Sequence, residues 1–241
     1  MKFLKNPATV AGLALATSLA MTSFSYADGH LKSEMNTMYV SAFGGVIFSG
    51  ESDTDGIVGG LPNSVFAELG TGYIFGAAFG SSLGEFGNES VTPRVELELS
   101  YSNADVDRVE FTGNAVSPEI NVAGDISSTL ILANAYLDFN TDTAFTPFFG
   151  AGAGLGIVNF DFAYGGAARP GLRESDSGFA AQAIVGFSYD LTENVKWVVD
   201  GRYSRIFDVE SRRTLINGVN TGTVSGNVDN FAFTTGLRFS F

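Results

Sequence analysis

The last eleven residues constrain the fold most tightly. Phe231, Phe233, Thr235, Leu237, Phe239 and Phe241 share one face of an extended strand, and Ala232, Thr234, Gly236, Arg238 and Ser240 share the other. Successive strand side chains point to opposite sides, so this parity separates the two faces completely. Four phenylalanines on one face, the last of them ending the chain, suit a strand whose apolar side meets lipid and whose polar side meets a packed interior. A soluble β-sandwich could also hold such a strand, so the remaining segments must decide.

The third strand, Thr92–Ser102, has the clearest alternation: Arg94, Glu96, Glu98 and Ser100 against Val95, Leu97, Leu99 and Tyr101. In Ser127–Phe139, Asn134, Tyr136 and Asp138 oppose Ile131, Ala133, Ala135, Leu137 and Phe139. Phe145–Val158 sets a glycine row, Gly150 to Gly156, against bulkier neighbours, leaving room for large inward side chains of adjacent strands. Gly178–Tyr189 carries one inward Gln182, and Val195–Phe207 alternates Lys196, Asp200 and Arg202 with Val195, Trp197, Val199 and Tyr203. Gly70–Gly80 is apolar on one face and glycine-rich on the other, while Met38–Phe48 is apolar on both and cannot be oriented. With Phe231–Phe241 this makes eight strands of about the 9–11 residues that a tilted strand needs to cross a bilayer.

Connections alternate in length. Ser49–Leu69, Asn103–Ile126, the stretch around Gly165-Gly166 and Asp208–Val228 read as long loops, the last extending as a hairpin over Val209–Gly226 with its turn near Asn217–Gly222. The other connections are short. Long outer loops and short periplasmic turns are the asymmetry of outer-membrane barrels. No position on the lipid face of strands three to eight is charged, in a chain that is 16% charged. The expected fold is therefore all-β: an eight-stranded antiparallel up-and-down transmembrane barrel over residues 38–241.

The N-terminus agrees. Lys2 and Lys5, the apolar run Val10–Ala20 and the small residues of Ser25-Tyr26-Ala27 follow the order of a secretory signal peptide. Residues 1–27 are expected to be a cleaved leader and 28–37 a flexible periplasmic lead. Losing two lysines takes the formal charge from −13 to −15, which excludes nucleic acid as an expected partner. The sequence contains no cysteine, so disulfides do not hold it.

Asn134-Ala-Tyr-Leu-Asp-Phe139, followed by Thr146-Pro-Phe-Phe-Gly-Ala-Gly-Ala-Gly-Leu-Gly156, resembles the family of small outer-membrane barrels that includes opacity-protein-like surface antigens, related in fold to the OmpA transmembrane domain. Phe187–Thr192 leading into Asp200-Gly201-Arg202-Tyr203, and the terminal Gly236–Phe241, support it. Phe148 stands where the family often has Tyr. The resemblance covers nearly all of Met38–Phe241. It implies an outer-membrane location, lipid as surroundings, a surface-antigen, adhesion or structural role, and a terminal signal, Phe239 and Phe241, read by the barrel assembly machinery. An extracellular partner would bind through four outer loops.

The inward charges, Arg94, Glu96, Glu98, Asp138, Lys196, Asp200, Arg202 and Arg238, balance in sign. A paired polar core is favoured over a selectivity filter, because an eight-stranded lumen is narrow enough for side chains to fill and unpaired buried charge is costly. A low-conductance, porin-like channel is the alternative function. Neither a catalytic site nor a cofactor is expected: the one histidine, His30, lies in the lead, and a thiol nucleophile is lacking. Asp53-Thr54-Asp55-Gly56 has part of a calcium-loop spacing without its downstream glutamate, so no metal is expected.

Overall fold

Each alternating segment becomes a strand that pairs antiparallel with its neighbours in the sequence, and the last pairs with the first. The computed structural model describes the backbone of residues 37–58, 61–84, 90–112, 123–163, 171–214 and 220–241, and the side chains of 37–48, 70–84, 90–107, 124–161, 175–210 and 225–241. The strands are β1 (Met38–Val58), β2 (Leu61–Ser82), β3 (Val91–Thr112), β4 (Ala123–Phe139), β5 (Phe145–Ala163), β6 (Gly171–Asp190), β7 (Val195–Thr214) and β8 (Asn220–Ser240). Their order round the ring is the sequence order, and the ring is closed. Closure gives each strand a neighbour on both sides, as lipid requires, although the β6–β7 ladder is interrupted between Leu172 and Ala180.

Pairing of β1 with β8 orients the strand that sequence left open. Val40 lies opposite Phe239, and Val46 opposite Phe233. Val40, Val46 and Phe48 face outward, and Tyr39 and Ile47 are buried inside. Below, Ser82 N donates to Thr37 O at 3.0 Å and Phe241 N to Met38 O at 2.9 Å, tying the turn rim together. Thr192 Oγ1 accepts from Val195 N at 3.1 Å in the tight β6–β7 turn.

The strands run 17 to 22 residues, about twice what a bilayer needs. Ser49–Leu69, read as loop, is a ladder from Gly50↔Leu69 to Val58↔Leu61. Asn103–Ile126 is likewise partly strand, pairing through Asp105↔Asp125. Backbone pairing does not depend on hydrophobic alternation, so Gly-, Asp- and Ser-rich stretches that look like loops continue the sheet. The β7–β8 hairpin forms as expected but closes at Thr214↔Asn220; its tip, 215–219, lies outside the described residues.

Ladder irregularities occur at Ile47/Ser49 in β1, Glu68 to Gly72 in β2, Leu172/Ala180 in β6 and Ile206/Val209 in β7, with another at Arg213/Thr214 near the hairpin tip. In β7 the extra residue includes Asp208 at φ 53°, a left-handed conformation that Asp tolerates. Ile206 and Val209, three apart, consequently both point inward.

The sidedness of the sheet inverts near this level. Toward the turn rim, the outside is apolar: Leu97, Leu99, Phe149, Val185 and Phe233 are exposed there. Phe145, Phe187 and Trp197 form one outer aromatic contact group, and Tyr73, Phe75 and Tyr101 another farther along the strands, as in the two girdles of a membrane barrel. Toward the hairpin rim, Asp105, Asp107, Asn159 and Glu210 face out, while Val106, Ile126, Val158, Phe160, Ile206, Val209 and Val228 pack inside with Leu130 and Leu132. Where lipid gives way to water, the apolar face moves from outside to inside. The lumen is therefore polar in its lower storey, as the expected paired polar core requires, and an apolar core in its upper one, which the sequence reading does not anticipate.

Candidate functional site

Inward parity on β3, β4, β7 and β8 brings seven of the eight expected charges into one buried network. Arg94 grips Asp138, with Nε 2.9 and 2.8 Å from its two oxygens. Arg94 Nη1 donates to Tyr39 Oη at 3.0 Å, and its guanidinium stacks 3.8 Å above the Tyr136 ring. Glu96 accepts from the hydroxyls of Tyr136 at 2.8 Å and Tyr39 at 3.1 Å. Arg238 Nη1 reaches Asp138 only at 3.8 Å. These groups make the lower layer.

The upper layer centres on Arg202. Its Nε and Nη2 hold the two oxygens of Asp200 at 2.9 and 3.1 Å, and Nη1 donates to Glu98 Oε1 at 3.1 Å. Phe43 lies beneath the guanidinium, its ring centre 4.1 Å away. Thr234 Oγ1 donates to Asp200 at 2.9 Å. Glu98, only 1% exposed, also accepts from Asn134 Nδ2 at 2.9 Å and Gln182 Nε2 at 3.2 Å. Charge-assisted bonds of this kind offset the desolvation that each ion suffers.

Lys196 departs from expectation. It lies at the turn rim, 31% exposed, with Nζ 2.7 Å from Asp190 Oδ1. Its register partner is Arg238, and two cations meeting across strands repel, so its flexible stem takes the ammonium to the rim carboxylate instead. The buried set is then three guanidiniums facing four carboxylates.

The sequence places Asn134, Tyr136, Gln182 and Thr234 on inward faces but does not show that they join the charges. Asn134 joins the layers by donating to both Glu96 and Glu98, at 3.3 and 2.9 Å. Tyr39, Tyr136, Gln182 and Thr234 complete the shell. All share the inward parity of the charges, and that parity was the available signal. The glycine row has the expected purpose at two points: a Cβ on Gly150 would run into the Tyr136 ring, and one on Gly152 into Asn134 Oδ1.

Of the terminal residues, Phe239 is exposed on the outer wall beside Val40 and Val195, and Phe241 is exposed past the end of β8. His30 and the side chains of Asp53 and Asp55 lie outside the described residues. Among the described residues no three His, Cys, Asp or Glu side chains stand together as a metal site would need. The arrangement is suited to bracing opposite walls of the ring.

A family described as surface antigen matches residues 33–241. Over 214 residues the chain is 27% identical to outer membrane protein PagN of Salmonella typhimurium strain LT2, with 84% of each chain covered. Among solved structures, outer membrane protein OprG of Pseudomonas aeruginosa superposes with a TM-score of 0.54 at 14% identity, covering 86% of this chain and 96% of that one. Outer membrane protease OmpT of Escherichia coli gives 0.53 at 10% identity, covering 89% and 99%. At such identities these two share the fold alone.

Proposed function

The chain belongs to the surface-antigen family of outer-membrane β-barrels, and from that premise we propose that it is a non-enzymatic surface protein of antigen or adhesion type. In this reading the turn rim faces the periplasm and four hairpins stand outside the cell, where they meet an extracellular partner. Residues 1–27 are a cleaved leader and 28–37 a periplasmic lead. The charge network is a structural plug, not a filter.

The filled lumen carries this reading. A charged lower storey braced across the ring and an apolar core above it offer no evident solute path. Chemistry would then be confined to the hairpins, which run well past the lipid band as ladders. The absence of cysteine and the single histidine also weigh against an enzyme.

Two measurements test it together. Planar-bilayer recordings on refolded protein should show no steady conductance; large, steady channels would make transport the function instead. Cells displaying the barrel should adhere to host surfaces more than cells displaying a version whose hairpins are cut to short turns. Equal adherence would end the adhesion reading.

A further inference from the structure

Between the two charge layers lies a chamber of about 30 Å³, lined by Arg94, Arg202 and Arg238 with Glu96, Asp200 and Ser41. Two groups on this wall are incomplete within the protein: Arg94 Nη2 and Arg238 Nε are buried donors with no acceptor. A buried charged N–H that has left water without a new acceptor is strongly disfavoured. The nearby carboxylates are already engaged. Glu96 receives two phenols, Asp200 receives Arg202 and Thr234, and both oxygens of Asp138 are held by Arg94.

The occupant must therefore accept hydrogen bonds, and charge decides its class. The buried network has three guanidiniums, of Arg94, Arg202 and Arg238, against the carboxylates of Glu96, Glu98, Asp138 and Asp200. A halide would deepen a negative excess in a low-dielectric interior. Water accepts from both orphan donors without adding charge, and can donate onward to the Ser41 hydroxyl or a carboxylate lone pair. A water needs about 10–15 Å³ of such space, so the chamber has room for about two.

We propose that this chamber is a hydration site, in which water accepts from Arg94 Nη2 and Arg238 Nε and so links Arg238 to the network. Arg238 is then held through water rather than by its distant carboxylate. Phe148 and Val198 line the chamber beside the charged groups.

The test uses the full refolded barrel. Crystals soaked in bromide should show water density within hydrogen-bond reach of both nitrogens and no anomalous peak in the chamber. A bromide peak there would make it an anion site, and a dry chamber would refute hydration; either result overturns the proposal. Solution-side evidence comes from water-edited NMR of the arginine side chains. Magnetisation should pass from water to the Arg94 and Arg238 guanidinium protons, and transfer to neither would also count against it.

Discussion

Arg202 Nη1 on β7 lies 3.1 Å from Glu98 Oε1 on β3, a contact between residues 104 apart in sequence and on opposite walls of the ring. Neighbouring strands are already joined by backbone ladders, so this bond adds what ladders cannot, a strut across the lumen.

Removing the strut should be costly. Arg202→Ala would leave Glu98 and Asp200 buried without their cation, a loss on the order of 3–5 kcal/mol. Urea titration of refolding in lipid vesicles measures it. Adding Glu98→Gln should recover part of the loss, and the double-mutant cycle should show coupling well above the ~0.5 kcal/mol of independent sites. Additivity would mean that the contact contributes nothing of its own.

A charge on the outer wall acts by another route. Leu97 is exposed to lipid, and Leu97→Arg should cost ~2–4 kcal/mol near the bilayer midplane. Combined with Arg202→Ala it should be additive, since one change acts through lipid and the other through a lost pair.

The glycine row sets a packing limit. Gly152→Ala would force its methyl into Asn134 Oδ1, displacing the side chain that joins the layers. A loss of about 1–3 kcal/mol is expected from overpacking, measured by the same titration. An unchanged midpoint would show that Asn134 has slack.

The inverted sidedness makes a contrasting pair. Ile206, buried in the upper storey, should lose ~2–5 kcal/mol on Ile206→Ala. A change at Glu210, facing out one residue beyond the bulge partner Val209, should stay within about 0.5 kcal/mol. Equal effects would deny that the apolar face has moved inside.

The terminal residue is expected to matter in cells more than in vitro. The Phe241 side chain is exposed past the end of β8, so its deletion should lower the amount assembled in the outer membrane more than it lowers refolding in detergent. Equal losses in both assays would reduce its role to packing.

Much of the site was legible because parity is local. Arg94, Glu96 and Glu98 had to share a face with one another, as did Asp200 and Arg202, whatever the register. The inversion was also present in the sequence, as a change of phase: in β3 the apolar positions pass from Leu97 and Leu99 to Ala104 and Val106, and in β8 from Phe233 and Phe231 to Val228. It went unread because Asp- and Gly-rich stretches resemble loops when alternation is sought only as a lipid-facing stripe.

Alternation by itself determined the strand number, the lipid face of strands three to eight and the inward direction of the charges, since each follows from a period of two along a single segment. Ring closure decided the rest. The stagger of strands in a barrel fixes which inward residues share a height. Only that placed Arg202 beside Glu98, sent Lys196 to Asp190, inserted Asn134 between the layers and turned Tyr39 and Ile47, rather than Val40 and Val46, toward the lumen. Distances across a lumen depend on every strand between, and no local pattern encodes them.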